Sequence, residues 1–391
     1  MKLFTEGRKD TFSILSEKIQ AEDRTFWFHA ASLGEYEQAV PVIEEVKKLF
    51  PEHKIIISFF SPSGYEIRKN SPLADAVVYL PLDTPGNAQK FIELAHPDWA
   101  IFIKYEFWPN FLSELKKRKI RTLLVSGAFR KDQLFFKKYG KWMRSYLSAF
   151  EHFFVQNASS GELMHSIGFH NVSLSGDTRF DRVKRQLEQD NELEFISDFK
   201  NGKTCVVAGS TWPEDEELLV NFINNSPNTV KFIIAPHTLN PSKLAALRSA
   251  LKTRTVFYSE KEGKNLASYQ VFVIDTIGLL SKIYSYAEIA YVGGAAGDTG
   301  LHNVLEPATF GLPVVIGQNF ERFPEAAKLL ELGGLFSIST SEELEQILQK
   351  LIDNRSFRET RGTVSRNFIE ENTGATSTVM DYLAAHSAEK E

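Results

Sequence analysis

Short apolar runs alternate with helix-patterned stretches along almost the whole chain, and this cadence constrains the fold more than any other feature. The runs at 25–29, 54–59, 76–80, 99–104, 122–126 and 152–156 are rich in β-branched and aromatic residues. Each is followed by a loop and a candidate helix. Apolar runs of that length read as strands covered on both faces, and strand–helix alternation builds a parallel sheet. The cadence pauses over the polar, mixed-charge stretch 181–202, then resumes at 204–208, 231–235, 271–274, 289–292 and 313–316. A 391-residue chain is too long for one ordinary domain of about 150 residues. The expectation is therefore α/β, with two Rossmann-like domains over 1–185 and 186–391 and a ligand at the strand C-terminal ends, in a cleft between them. The tail from Asn372 is small and polar, and its last residues read as a frayed end.

Composition removes several classes. A hydrophobic fraction of 43% with 24% charged residues excludes disorder for the bulk of the chain. The single cysteine, Cys205, excludes an intramolecular disulfide and a thiolate metal site, and points to a reducing compartment. No apolar run approaches the ~20 residues of a membrane span, and no apolar stretch follows the lysines of Met1 to Asp10 as a signal peptide requires. These features lead to the expectation of a soluble or peripheral cytoplasmic protein. No His, Cys and carboxylate cluster has metal-ligand spacing, and no Ser-His-Asp nucleophile elbow occurs, so no metal and no cofactor are expected.

Charge is uneven. Residues 1–180 hold 24 Lys and Arg against 21 Asp and Glu, whereas the remainder holds 21 against 29. Segment 116–144 carries 11 basic residues and one acidic residue, Asp132, together with Phe129, Phe135, Phe136, Tyr139 and Trp142. Two readings stand: a solvated helix face, or a surface for an anionic membrane with aromatics entering the interface. Nucleic acid is disfavoured, because no recognition motif accompanies the charge.

Four motifs follow strands. His29-Ala-Ala-Ser-Leu-Gly-Glu35 sits where a strand gives way to a helix, with Glu35 in the first turn, where the helix dipole favours a carboxylate. An ionised Glu35 can act as a general base towards a hydroxyl, although spacing alone favours a simple cap. Lys104-Tyr-Glu106-Phe-Trp-Pro-Asn110 follows another strand, and Pro109 can open a helix. Its alternatives are a pocket shared by Glu35 and Glu106, or a Lys104–Glu106 surface pair with Phe107 and Trp108 in the core. Gly209-Ser210-Thr211-Trp212-Pro213 combines a strand end with a helix start, which suits a phosphate or a plain N-cap. No nucleotide fingerprint of the Walker or G-x-G-x-x-G type accompanies it. His237 follows the next strand and reads as structural, solvent-exposed or phosphate-holding. Last, the string from Gly293 to Pro313 carries a glycine-rich loop and then Glu306, whose carboxylate can accept from both hydroxyls of a ribose.

Taken in order, these strings resemble the 3-deoxy-D-manno-octulosonic acid (Kdo) transferases of lipopolysaccharide synthesis. The resemblance runs from Gly7-Arg8-Lys9 past Glu325 and includes Gly176 to Asp181, Asp275-Thr276-Ile277-Gly278, His302-Asn303 and Glu306-Pro307-Ala308. It implies a GT-B fold with the last helix returning to the N-terminal domain. It also implies inverting, metal-independent transfer of Kdo from CMP-Kdo to the 6′-hydroxyl of a tetra-acylated lipid A precursor. By the same resemblance Glu35 is the base and Glu106 lies near the sugar or acceptor. Gly209, Ser210, His237, Gly293, Gly294, Asn303 and Glu306 fall on the donor side, and Ser32, Gly34, Lys104 and Arg130 on the acceptor side. Segment 116–144 would meet the cytoplasmic face of the bacterial inner membrane. The departures are Leu279 where the family carries a glutamate, Arg130 in a changed string, and Met1 standing just before Gly7-Arg8-Lys9 where many members have a hydrophobic anchor. The competing expectations are another GT-B enzyme using a UDP-sugar, such as a hexosaminyltransferase or epimerase, or a non-catalytic lipid-binding paralogue.

Overall fold

The structure is a computed structural model and describes residues 7–387. These form two compact units: the described residues up to Arg182 together with those from Asn372 onward, and Val183–Glu371.

The first unit is built on seven parallel strands: β1 (Arg24–Ala30), β2 (His53–Phe59), β3 (Ala76–Tyr79), β4 (Trp99–Ile103), β5 (Arg121–Gly127), β6 (His152–Val155) and β7 (Val172–Leu174). Their order is β3-β2-β1-β4-β5-β6-β7. The second unit repeats the plan with β8 (Thr204–Thr211), β9 (Val230–Pro236), β10 (Thr255–Phe257), β11 (Val271–Val273), β12 (Ile289–Val292), β13 (Val314–Ile316) and β14 (Leu335–Ser337). Here the order is β10-β11-β9-β8-β12-β13-β14. Central strands are largely buried, as in the Trp-Ala-Ile-Phe-Ile of β4, because helices cover both faces and leave few positions for a polar side chain. Strand order reverses between β1 and β4 in one sheet and between β8 and β12 in the other. At such a point the following loops diverge to opposite faces and open a crevice at the strand carboxyl ends.

Eleven of the fourteen strands coincide with the runs read from the sequence. The other three, β7, β10 and β14, have three residues each and lie at sheet edges. A short edge strand needs no two-sided apolar pattern, so nothing in its sequence announces it.

A helix spans Ala375–Ser387, and its Val379 and Leu383 are fully buried in the core of the first unit. Asp181 anchors that helix, accepting from Gly374 N and Thr376 N at 2.7 Å each and from Thr376 Oγ1 at 2.8 Å. The frayed end expected for the last residues, 388–391, lies outside the described residues. One reading is corrected: segment 116–144 is not one solvated helix face. It contains the end of the helix Pro109–Lys117, strand β5, two single 3-10 turns and the start of the helix Lys141–Leu147. Phe129 and Phe135 are buried in the core beneath it and Phe136 packs against the same cluster, so these three rings belong to the interior. Tyr139 and Trp142 remain outside, 73% and 57% exposed, among Lys131, Lys138 and Lys141.

Candidate active site

Both reversal points carry the motifs singled out in the sequence. In the first unit, β1 ends at Ala30, and the helix Leu33–Leu49 begins with Ser32 as its N-cap and Glu35 in its first turn. Ser32 spends its hydroxyl on Glu35, donating to Oε2 rather than to a backbone group. Glu35 is therefore oriented by its neighbour within the first turn. Gly34 is exposed and faces open space, where a side chain would meet only Ser32 Oγ.

Across the reversal point, β4 runs into Lys104, which is held in the left-handed region at φ 73°. A non-glycine residue there carries strain, and strain of this kind collects at functional edges. Lys104 makes no ion pair with Glu106; its Nζ lies 5.3 Å from the centre of the Tyr105 ring, with Arg130 at 5.6 Å from the same ring. The charges of Glu35 and Glu106 both raise the Tyr105 hydroxyl above its ordinary range, behind the larger effect of burial. Lys104 and Arg130 thus lie over the Tyr105 ring, and the charges of Glu35 and Glu106 act on its hydroxyl. Arg130 also reaches Asp132 at 3.6 Å.

Beneath this cluster lies a buried polar chain. Trp108 Nε1 donates to His29 Nε2 at 3.0 Å, and an indole can only donate, so Nε2 is the accepting nitrogen and the proton of this neutral ring sits on Nδ1. Nδ1 donates in turn to Ser58 Oγ at 2.8 Å, which also accepts from Trp27 Nε1 at 2.8 Å. Glu106 Oε2 lies 3.8 Å from His29 Nε2, beyond hydrogen-bond reach. Asp83 caps the helix that opens at Pro109, accepting from Asn110 N and Phe111 N, which gives Asn110 a structural place. Arg8 binds the same edge by donating to Leu80 O and Phe60 O.

In the second unit, β8 ends in Gly209-Ser210-Thr211, with Ser210 left-handed at φ 55° and the pairing with β9 interrupted between Gly209 and Thr211. The N-cap of the next helix is Trp212, not Ser210, and Pro213 is its first residue. The group that organises this edge is Asp215, which the sequence reading missed. Its fully buried carboxylate accepts from Trp212 N at 2.9 Å and Gly294 N at 2.8 Å through Oδ2, and from Tyr291 Oη at 2.8 Å through Oδ1. Gly293 N donates to Gly209 O at 2.9 Å. The backbone donors of Gly293 and Gly294 are therefore committed within the protein. What these glycines supply is close approach: a Cβ on Gly293 would overlap Ser210 O, and Gly294 turns at φ 96° against Gly300 O.

Glu306 is not a solvent-facing loop residue. It is half-buried in the short helix Leu305–Thr309, and accepts from Ser281 Oγ at 2.9 Å and Asn303 Nδ2 at 3.2 Å. Asn303 also accepts from Leu305 N. Leu279, in the place of the family glutamate, packs against the apolar core. His237 is exposed at the end of β9, with its ring stacked 4.7 Å from Trp212 and 4.4 Å from His302. Trp212 Nε1 donates to His302 Nε2 at 3.1 Å, so the pairing of Trp108 with His29 recurs here. A tryptophan followed by proline stands at both helix starts, and that repeated dipeptide was the available signal. Among the described residues, no group of three or more His, Cys, Asp or Glu is placed to hold a metal ion, and no helix is long and apolar enough to cross a membrane.

Comparison with known proteins agrees with this geometry. Residues 7–182 match the family described as 3-Deoxy-D-manno-octulosonic-acid transferase (kdotransferase). The chain is 28% identical to the 3-deoxy-D-manno-octulosonic acid transferase of Haemophilus influenzae, covering 91% of this chain and 86% of that protein. It is 27% identical to the protein of the same name from Aquifex aeolicus, over 83% and 85% of the two chains. Two solved structures share the fold. One is the UDP-GlcNAc 2-epimerase of Neisseria meningitidis, with TM-score 0.66, 15% identity and coverage of 93% and 100% of the two chains. The other is MurG of Acinetobacter baumannii, with TM-score 0.57, 13% identity and coverage of 93% and 99%. Two parallel seven-stranded units with loaded reversal points give this chain the GT-B fold. Its N-terminal unit carries the match to the Kdo transferase family, and the likeness to Kdo transferases extends through both units.

The His302 environment sets a pH dependence. Burial, and then the neighbouring His237, lower the His302 pKa from 6.5 to about 4. A folded-state pKa below the unfolded value means that the unfolded chain binds the extra proton, so the stability contributed is complete above pH ~6.5 and is lost as pH falls towards 4. The urea midpoint should therefore drop between pH 7 and pH 5, and His302→Gln, which keeps an acceptor for Trp212, should flatten that drop. An equal drop in the variant would show that His302 is not the titrating group.

Proposed function

We propose that this protein transfers Kdo from CMP-Kdo to the 6′-hydroxyl of a tetra-acylated lipid A precursor, with inversion and without a metal. The observation that carries the reading is that the charges of Glu35 and Glu106 both act on the Tyr105 hydroxyl at the β1/β4 reversal point, in a chain whose relatives are named for Kdo transfer. Glu35, oriented by Ser32, takes the proton of the acceptor hydroxyl as that oxygen bonds to the anomeric carbon. The bond from that carbon to the phosphate oxygen breaks, and CMP leaves. Glu106 faces the oxocarbenium-like sugar, where a carboxylate stabilises developing positive charge. Lys104 and Arg130 match an anionic acceptor, and Ser32 and Gly34 leave room for its approach.

The donor belongs on the second unit. Glu306 and Asn303 suit a ribose, and Gly209, Gly293 and Gly294 lie on the edge that would receive the nucleotide. Ser210 and His237 flank its phosphate. The enzyme would work at the cytoplasmic face of a bacterial inner membrane, held peripherally through Tyr139, Trp142 and the lysines around them. An amphipathic ring that is exposed beside cations fits the headgroup level of an anionic bilayer.

Glu35→Gln should lower turnover by about a hundredfold or more, as expected for a general base. CMP affinity, measured by calorimetry, should stay within about twofold of the wild type by the same reasoning, because the base does not hold the donor. Unchanged turnover, or lost CMP binding, would remove Glu35 from that role. Reversing Lys137, Lys138 and Lys141 to glutamate should weaken sedimentation with anionic vesicles at low salt, and the difference should shrink at high salt. Vesicle binding that is unaltered by the reversal would contradict the membrane face.

A further inference from the structure

One buried group at the donor edge has no place in the account so far. Tyr284 stands in a 3-10 turn between β11 and β12 and is 2% exposed. Three tyrosines are among the largest fully buried side chains. Tyr291 donates to Asp215, and Tyr79 donates to Glu66. Among the described residues, the Tyr284 hydroxyl has no hydrogen-bond partner. The ring is buried, but its oxygen is not among the unpartnered polar atoms sealed from solvent, so the hydroxyl keeps a hydrogen bond to give to a ligand.

Its position suggests the use. Gly209 closes β8 and pairs with Val292 of β12 at the reversal point of the second sheet. A Cβ on Gly209 would overlap Tyr284 Oη, so the glycine leaves open the space in which the hydroxyl ends. The charge of Glu306 also reaches this hydroxyl, so the two groups share one neighbourhood. Burial and that charge push the phenol far above its ordinary range, so the oxygen keeps its proton and acts as a donor.

We infer that Tyr284 is a binding residue for the nucleotide sugar, its O–H donating to an oxygen of the ribose that lies beside Gly209 and Glu306. The inference builds on the proposed donor site and adds to it a residue from outside the glycine loop. It also gives Gly209 a second reason to be glycine, since any side chain there would displace the hydroxyl.

The test is Tyr284→Phe, which removes one oxygen and keeps the ring. CMP and cytidine binding are measured by calorimetry and the thermal midpoint by calorimetric melting, on the full chain. The expected result is about tenfold to a hundredfold weaker binding of both ligands, the usual range for one lost buried hydrogen bond to a ligand. The midpoint of the free protein should be unchanged, because the oxygen makes no hydrogen bond within the protein. A purely structural tyrosine would give the opposite pattern, a lowered midpoint with unchanged affinity, and that would overturn the inference, as would unchanged affinity at any midpoint. Weakening for CMP with none for cytidine would overturn the ribose assignment. If the wild-type protein binds neither ligand, the donor reading itself fails and the inference falls with it.

Discussion

The two edges that carry the candidate site residues hang on one kind of hydrogen bond, an indole N–H given to a histidine. Trp108 gives its proton to His29 in the first unit, and Trp212 gives its proton to His302 in the second. Because an indole can only donate, each imidazole must be neutral and must accept at Nε2. At His29 this requirement propagates inward: Nδ1 holds Ser58, and Ser58 holds Trp27 within the sheet. The loop carrying Lys104, Tyr105 and Glu106 is thereby fastened to β1, the strand that leads to Glu35. Proline follows each tryptophan and opens the next helix, so the indole is fixed from its backbone side as well.

The two edges present different sets of groups on this support. The first presents carboxylates and cations around a phenol, a set suited to moving a proton from a hydroxyl and receiving an anionic acceptor. The second presents glycine, serine and a carboxylate whose oxygens are already oriented by Ser281 and Asn303, a set suited to holding a nucleotide closely. Asp215 joins the two arms of that second set, tying the helix start at Trp212 to the loop at Gly294. Its burial raises its pKa, but three donors hold the carboxylate in place.

Much of this was legible in the chain because central strands of a parallel sheet must be apolar on both faces. That condition wrote β1, β2, β4 and β8 into the sequence as continuous runs, with Glu35 and Glu106 just beyond strand ends and Ser210 in the last residues of β8. Where burial was one-sided the signal faded, as at the edge strands Val172–Leu174, Thr255–Phe257 and Leu335–Ser337. Phe129, Phe135 and Phe136 misled for a related reason: an aromatic beside lysines looks the same in sequence whether it faces a core or a bilayer. Asp215 and Tyr284 were invisible because their roles depend on Gly294 and Gly209, which are distant in the chain and meet them only when β8 and β12 pair.

The most direct test of the account is an assay with CMP-Kdo, generated in situ because the donor is labile, and tetra-acylated lipid A precursor, read by mass spectrometry. The account predicts a product heavier than the acceptor by one or more Kdo units, formed without added metal. A folded protein, an intact donor and an acceptor of unchanged mass would contradict it.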